Sequence, residues 1–317
     1  LYFDNNSYAL FIRMSKIQFK ALIAVFIWGA GFVFTKFALE AFTPVLLVFI
    51  RFGIGLIVLG GAVIMRKQFR LPERDEYPYL VFTGFLGVTF HQWLQATGLQ
   101  TASATNTAWI VSIIPVFTFI LGFFFLKEHG SPINWLGIGL SFFGIVWVIS
   151  QGNLKVMLSK SILTKGDFLI FLSAINWAVF SIISRRGLKK YPPALMMLFI
   201  MFFGWFFSGL WLITSPNAII VSEEKIAIES VLSLLALGIF GSGLAYIYWY
   251  DALKEIPAYQ LSVFIYIEPI VTMILAALLI KEQITLATIL GGMVTILGIV
   301  LVNKQPALKT EQHTSAQ

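Results

Sequence analysis

Residues 262–283 read SVFIYIEPIVTMILAALLIKEQ, an apolar run of membrane-spanning length that holds Glu268 and Pro269 near its middle. An earlier stretch has the same frame. PVFTFILGFFFLKE at 115–128 falls on PIVTMILAALLIKE at 269–282, proline on proline and Lys-Glu on Lys-Glu, a shift of 154 residues. The register holds without a gap from 84 to 148, setting Gly84, Gly87 and Gly137 on Gly238, Gly241 and Gly291, and GIV at 144–146 on GIV at 298–300. Nearer the amino terminus a shift of 149 sets Trp28 on Trp177, Lys36 on Arg185 and Pro44 on Pro193. The chain therefore reads as a duplication.

Composition says what is duplicated. Hydrophobic residues make up 58% of the 317 and charged residues 12%, with a mean hydropathy of +0.87, which leaves too little polar surface for a water-soluble domain. The expectation is a polytopic all-α membrane protein with spans at roughly 17–39, 44–65, 78–97, 103–126, 132–150, 166–184, 192–214, 230–251, 257–280 and 285–303. With both termini cytoplasmic, fifteen of the 22 Lys and Arg fall on the inner side and five on the outer, so orientation in the membrane accounts for the net charge of +7 without a nucleic-acid partner. Residues 1–16 are taken as a leader or a segment foreign to the fold, 17–150 as the first five-helix repeat, 151–165 as a linker, 166–304 as the second repeat and 305–317 as a cytoplasmic tail. Five spans per half make the second repeat enter the membrane from the opposite side. Inverted repeats of this kind suit a carrier whose central site opens alternately to each side.

The scaffold positions are duplicated but several polar ones are not: Glu268 falls on Ile114, Arg51 on Ile200 and His91 on Ala245. Glu268, about 18 Å from either end of its span at 1.5 Å per residue, lies near the midplane. It is expected to bind a cation or amino group, to exchange protons, or to hold helices together as a paired or protonated carboxyl. Arg51 is expected to diverge from Glu268, because their side chains tilt toward opposite membrane faces; it serves an outer gate, an anionic substrate group or a snorkelling role. His91 joins the same outer layer or packs as a satisfied histidine, and Lys36 is close enough to the interface to snorkel. Trp28, Trp109, Trp177, Tyr246, Tyr250 and Tyr266, with Asn106 and Gln260, are the candidate walls of a cavity for an apolar, aromatic or cationic group.

Other classes find little footing. Three histidines, His91, His129 and His313, give no nucleophile–base pair, and Ser242 in GIFGSGLAY (238–246) is explained by close helix packing. No HExxH pattern and no P-loop is present, so neither a catalytic zinc nor ATP is called for, and no cofactor is expected. A passive channel lacks a ring of like charges. Asp167, Asp251, Glu128 and Glu282 read as interfacial or capping groups near helix ends.

The stretches WGAGFVFTKFAL (28–39), TPVLLVFIRFGIGLIVL (43–59), PVFTFILGFFFLKE and EPIVTMILAALLIKE (268–282) resemble those of EamA-type transporters of the drug/metabolite transporter superfamily, in the YddG-like group of amino acid and metabolite exporters. The resemblance covers nearly all of 17–303. It implies ten helices, cytoplasmic termini, a central cavity between the repeats and peripheral fifth and tenth helices. The implied location is a bacterial inner membrane, the implied partners a small-molecule substrate, lipid and, as a candidate coupling ion, the proton.

Overall fold

A computed structural model describes residues 16–125, 130–153, 155, 164–215, 227–255, 261 and 264–303. The described residues form helices and no strand. In chain order these are α1 (Lys16–Leu39), α2 (Pro44–Met65), α3 (Tyr77–Gly84), a π-helical turn π1 (Phe85–Phe90) and α4 (His91–Leu99). Then come α5 (Ala104–Val111), α6 (Ile114–Phe125), α7 (Pro132–Ile149), α8 (Lys165–Lys190) and α9 (Pro193–Thr214). The chain continues through α10 (Ile228–Ala236), a second π-helical stretch π2 (Leu237–Leu244), α11 (Ala245–Glu255), α12 (Ile267–Leu279) and α13 (Leu286–Val302).

Among the described residues seven helical stretches are long and apolar enough to cross a bilayer, and α12 and α13 are shorter apolar helices. The expected span at 103–126 is broken at Ser112–Ile113, just before Pro115. A turn at Tyr266 likewise precedes α12, just before Pro269. Proline has no N–H to give to the carbonyl one turn back, so each chain bends where that bond is missing. Glu268 thus stands in the first turn of α12 rather than at the middle of an unbroken helix.

The two π-helical stretches also correspond. Residues 85–90 shifted by 154 fall inside Leu237–Leu244. A π turn shifts the backbone bonds to i+5, as from the His91 N–H to the Leu86 carbonyl, whose oxygen still has a second lone pair to offer. In π1 the Leu86 carbonyl accepts from Asn176 Nδ2 at 2.9 Å, and in π2 the Gly241 carbonyl accepts from Trp28 Nε1 at 3.1 Å. Each donor comes from the opposite half of the chain, so these bonds tie α8 to π1 and α1 to π2.

Both apolar clusters draw on both halves of the chain. The small-residue faces of α7 and α13 meet directly: a Cβ on Gly137 would stand 2.5 Å from the Gly298 carbonyl oxygen. Asn134 Nδ2 donates to the Val302 carbonyl at 2.8 Å and fixes the register. With lipid as apolar as the side chains, such close contact is what holds two membrane helices together. Replacing Gly298 by Val should force this pair apart and cost about 1–3 kcal/mol, read as a lowered thermal midpoint in detergent. An unchanged midpoint would show that the contact is not tight.

Candidate functional site

A cavity of about 70 Å³ opens among α1, α2, α4, α5, α6, α8, π2, α11 and α12. The helical row Trp28, Gly31, Phe32 and Thr35 of α1 forms one wall. Trp177, Tyr246 and Trp249 complete an aromatic enclosure around Trp28, with centroid separations of 6.4, 5.5 and 5.3 Å from it. Two of those contacts are edge-on and the third is tilted, so ring edges and faces both line the space. Beneath, Tyr250 stacks parallel on Tyr246 at 6.3 Å.

The polar groups are few and buried. Glu268 is 5% exposed, and among the described residues its carboxyl takes no hydrogen bond and no ion pair. Arg51, 8% exposed, donates from Nε to Ser242 Oγ at 2.8 Å. No ion pair joins Arg51 to Glu268, although both line the same cavity. His91 packs its ring against Trp177 at 4.6 Å and its Nδ1 donates to the Ser173 carbonyl at 3.2 Å. A neutral ring so bonded keeps its acceptor lone pair on Nε2. Gln92 and Gln95 add amide groups to the same wall.

Of the residues picked out in the sequence, the cavity brings together Glu268, Arg51, His91, Trp28, Trp177 and Tyr246. Others lie elsewhere. Trp109 turns to α13, where its indole fills the space that a Cβ on Gly292 would need. Tyr250 is one layer below the lining, and Tyr266 accepts from Asn303 Nδ2 at 2.6 Å at the far end of α13. Asn106 is engaged through its backbone N–H, which donates to the Ser103 cap. Lys36 is half-buried, with the carboxylates of Glu282 and Asp167 nearby. Gln260, Glu128, His129 and His313 fall outside the described residues. Gln92, Gln95, Thr35 and Trp249 were passed over in the sequence, although HQWLQ at 91–95 is an unusually polar run for a span and signals a wetted face.

The ends of the bundle differ. All five ion pairs among the described residues sit at the end formed by the start of α1, the end of α2, the start of α3 and the ends of α8 and α11. There Asp251 accepts from both terminal nitrogens of Arg66 at 2.8 and 2.9 Å and from Lys20 at 3.1 Å. The bond to Asp251 holds the Arg66 guanidinium pKa above its ordinary value. Lys190 meets Glu73 and Glu76, each at 2.9 Å. At the opposite end Glu282 caps α5 across the fold, accepting from the Ala104 and Thr105 N–H groups at 2.7 and 3.1 Å. Asp167 closes a capping box with Thr164 at the start of α8.

Known proteins agree with this architecture. The pattern of the EamA-like transporter family matches residues 15–150 and again 164–304. An uncharacterised transporter of Archaeoglobus fulgidus is 29% identical over 287 residues, covering 90% of this chain and 97% of its own length. The uncharacterised transporter YyaM of Bacillus subtilis is 28% identical, covering 86% and 88% of the two chains. A solved crystal structure superposes with a TM-score of 0.67 at 18% identity, covering 91% of this chain and 96% of that one, a likeness of fold. With the family pattern spanning both halves of a multi-pass helical bundle, the chain belongs to the EamA-like transporter family of the drug/metabolite transporter superfamily and is a membrane transporter.

Proposed function

We propose that the protein is a secondary exporter of small metabolites such as amino acids or amphipathic aromatic compounds, moved by alternating access through the central cavity. The observation that carries this reading is the carboxyl of Glu268, buried in an aromatic-walled space between the two halves with no partner among the described residues. An uncompensated buried carboxyl costs several kcal/mol, a cost that a ligand cation or a proton relieves. Ten crossings in two inverted five-helix repeats, with 151–165 as the linker and both ends cytoplasmic, is the topology we assign. Support comes from the two matches to the family pattern, the corresponding π-helical stretches and the corresponding proline breaks. The basic residues favour the ion-paired end as the cytoplasmic one in a cell's inner membrane.

At about 70 Å³ the cavity is below the roughly 300–1,000 Å³ of metabolite pockets, so a ligand is accommodated only as its walls part. The test is counterflow. Proteoliposomes preloaded with an unlabelled amino acid or aromatic amine should accumulate the labelled solute transiently above its equilibrium level and return it chemically unchanged. A monotonic rise without overshoot would instead indicate a channel, and a modified solute an enzyme.

A further inference from the structure

The polar asymmetry between the halves extends beyond Arg51 to the residue that holds it. By the two shifts that superpose the repeats, Arg51 corresponds to Ile200 and Ser242 to Val88. Both pairings lie where α2 or α9 packs against a π-helical stretch. Around Ile200 the two corresponding side chains are apolar and the packing is close: the Ile200 carbonyl oxygen lies 2.6 Å from where a Cβ on Gly84 would be, and Val88 fills the space beside Gly204. The hydrogen bond there runs to backbone, from Thr89 Oγ1 to the Gly204 carbonyl at 2.7 Å. In the other half the two corresponding side chains bond to each other, Arg51 Nε to Ser242 Oγ at 2.8 Å, between residues 8% and 0% exposed. Gly55 makes this approach possible, since a Cβ there would stand 2.7 Å from that of Ser242. A duplicated packing site has been given a guanidinium and a hydroxyl to orient it.

Orientation matters because of what is left over. With Nε committed to Ser242, the plane of the guanidinium is set, and its two terminal nitrogens have no carboxylate or other hydrogen-bond partner among the described residues. Arg51 lines the cavity, and one terminal nitrogen lies 3.5 Å from where a Cβ on Gly241 would be. A permanently charged fork in a buried cavity calls for an oxyanion, and its parallel N–H pair fits a planar one. With the Glu268 carboxylate lining the same cavity, a monoanion leaves less excess negative charge there than a phosphate dianion would.

We infer that Arg51 is a carboxylate subsite of the transport cavity and that Ser242 is its positioning residue. The inference rests on the transporter reading and narrows the substrate to molecules bearing a carboxylate. The test uses purified full-length protein in detergent with three probes that share one ring: benzoate, benzylamine and benzyl alcohol. Benzoate should raise the thermal midpoint saturably and benzyl alcohol should not. In Ser242→Ala the apparent Kd for benzoate should rise about tenfold while that for benzylamine stays within twofold, and Ser242→Thr should restore benzoate binding. Wild-type protein indifferent to benzoate, or a Ser242→Ala protein that loses both ionic probes equally, would overturn the subsite. Should Ser242→Ala fold poorly, Arg51→Gln against Arg51→Lys supplies the same comparison, with benzoate binding lost in the first and weakened in the second. Counterflow without overshoot, or a chemically modified solute, would refute the transporter reading instead, so the two failures are distinct.

Discussion

In Glu268→Gln protein, counterflow of an amine-bearing substrate should fall at least about 30-fold, corresponding to the roughly 2–5 kcal/mol lost when one member of a buried charge pair is removed. Glutamine keeps the shape and most of the hydrogen-bonding capacity but not the charge. Because Glu268 is 5% exposed and takes no protein partner among the described residues, the substitution should leave the thermal midpoint unchanged or raise it. Stability and transport should therefore separate, which a merely structural carboxyl would not allow. The pH profile gives a second readout. A proton and a ligand cation compete for the same carboxylate, so wild-type affinity for the amine should weaken as pH falls, while that of Glu268→Gln should be flat. Normal counterflow with an unaltered pH profile in the variant would remove Glu268 from the site.

The second large effect concerns the ion-paired end. Asp251 ties α11, which carries Tyr246 and Trp249, to α1 through Lys20 and to the end of α2 through Arg66. The helices bearing Trp28 and Arg51 are thus joined below the cavity by one carboxylate. Asp251→Asn should release this latch and shift the balance toward the form open at that end by about five- to 150-fold, from a coupling of roughly 1–3 kcal/mol. The chain has no cysteine, so single introduced thiols report without background. Ala24 lies one helical turn from Lys20 and one from Trp28 and is fully buried, while Thr35 lines the cavity on the far side. Labelling of Ala24→Cys by a hydrophilic thiol reagent should rise in the Asp251→Asn background, and labelling of Thr35→Cys should fall. General loosening would raise both, and no change in either would show that Asp251 does not govern access. The exchanged pair Asp251→Arg with Arg66→Asp should bring labelling back toward the wild-type pattern.

Several features were legible in the residues alone because they are set locally. Helical runs and the small-residue faces of α7 and α13 follow from hydropathy and glycine's missing Cβ, whereas the breaks before Pro115 and Pro269 interrupt spans that read as continuous. The buried placement of Glu268 was legible too, as an ionisable group near the middle of an apolar run with no counterpart in the other half, whereas the snorkelling role left open for Arg51 gives way to a side chain 8% exposed. The tertiary structure decided which partners those groups have. Trp28 and Trp109 look alike as tryptophans in apolar spans, yet the first closes the cavity and donates to Gly241, whereas the second fills a notch at Gly292. Ser242, which reads as packing between glycines, does pack against Gly55 and also orients Arg51 from 191 positions away in the chain. Asp251 reads as an interfacial group and proves to link three helices, and Glu282 caps a helix that begins 178 residues earlier. The physical reason is common to all of these. In a membrane the lipid-facing and helix-facing sides of a span are equally apolar, so hydropathy determines that a helix crosses, while only close packing selects which of its faces meets which neighbour.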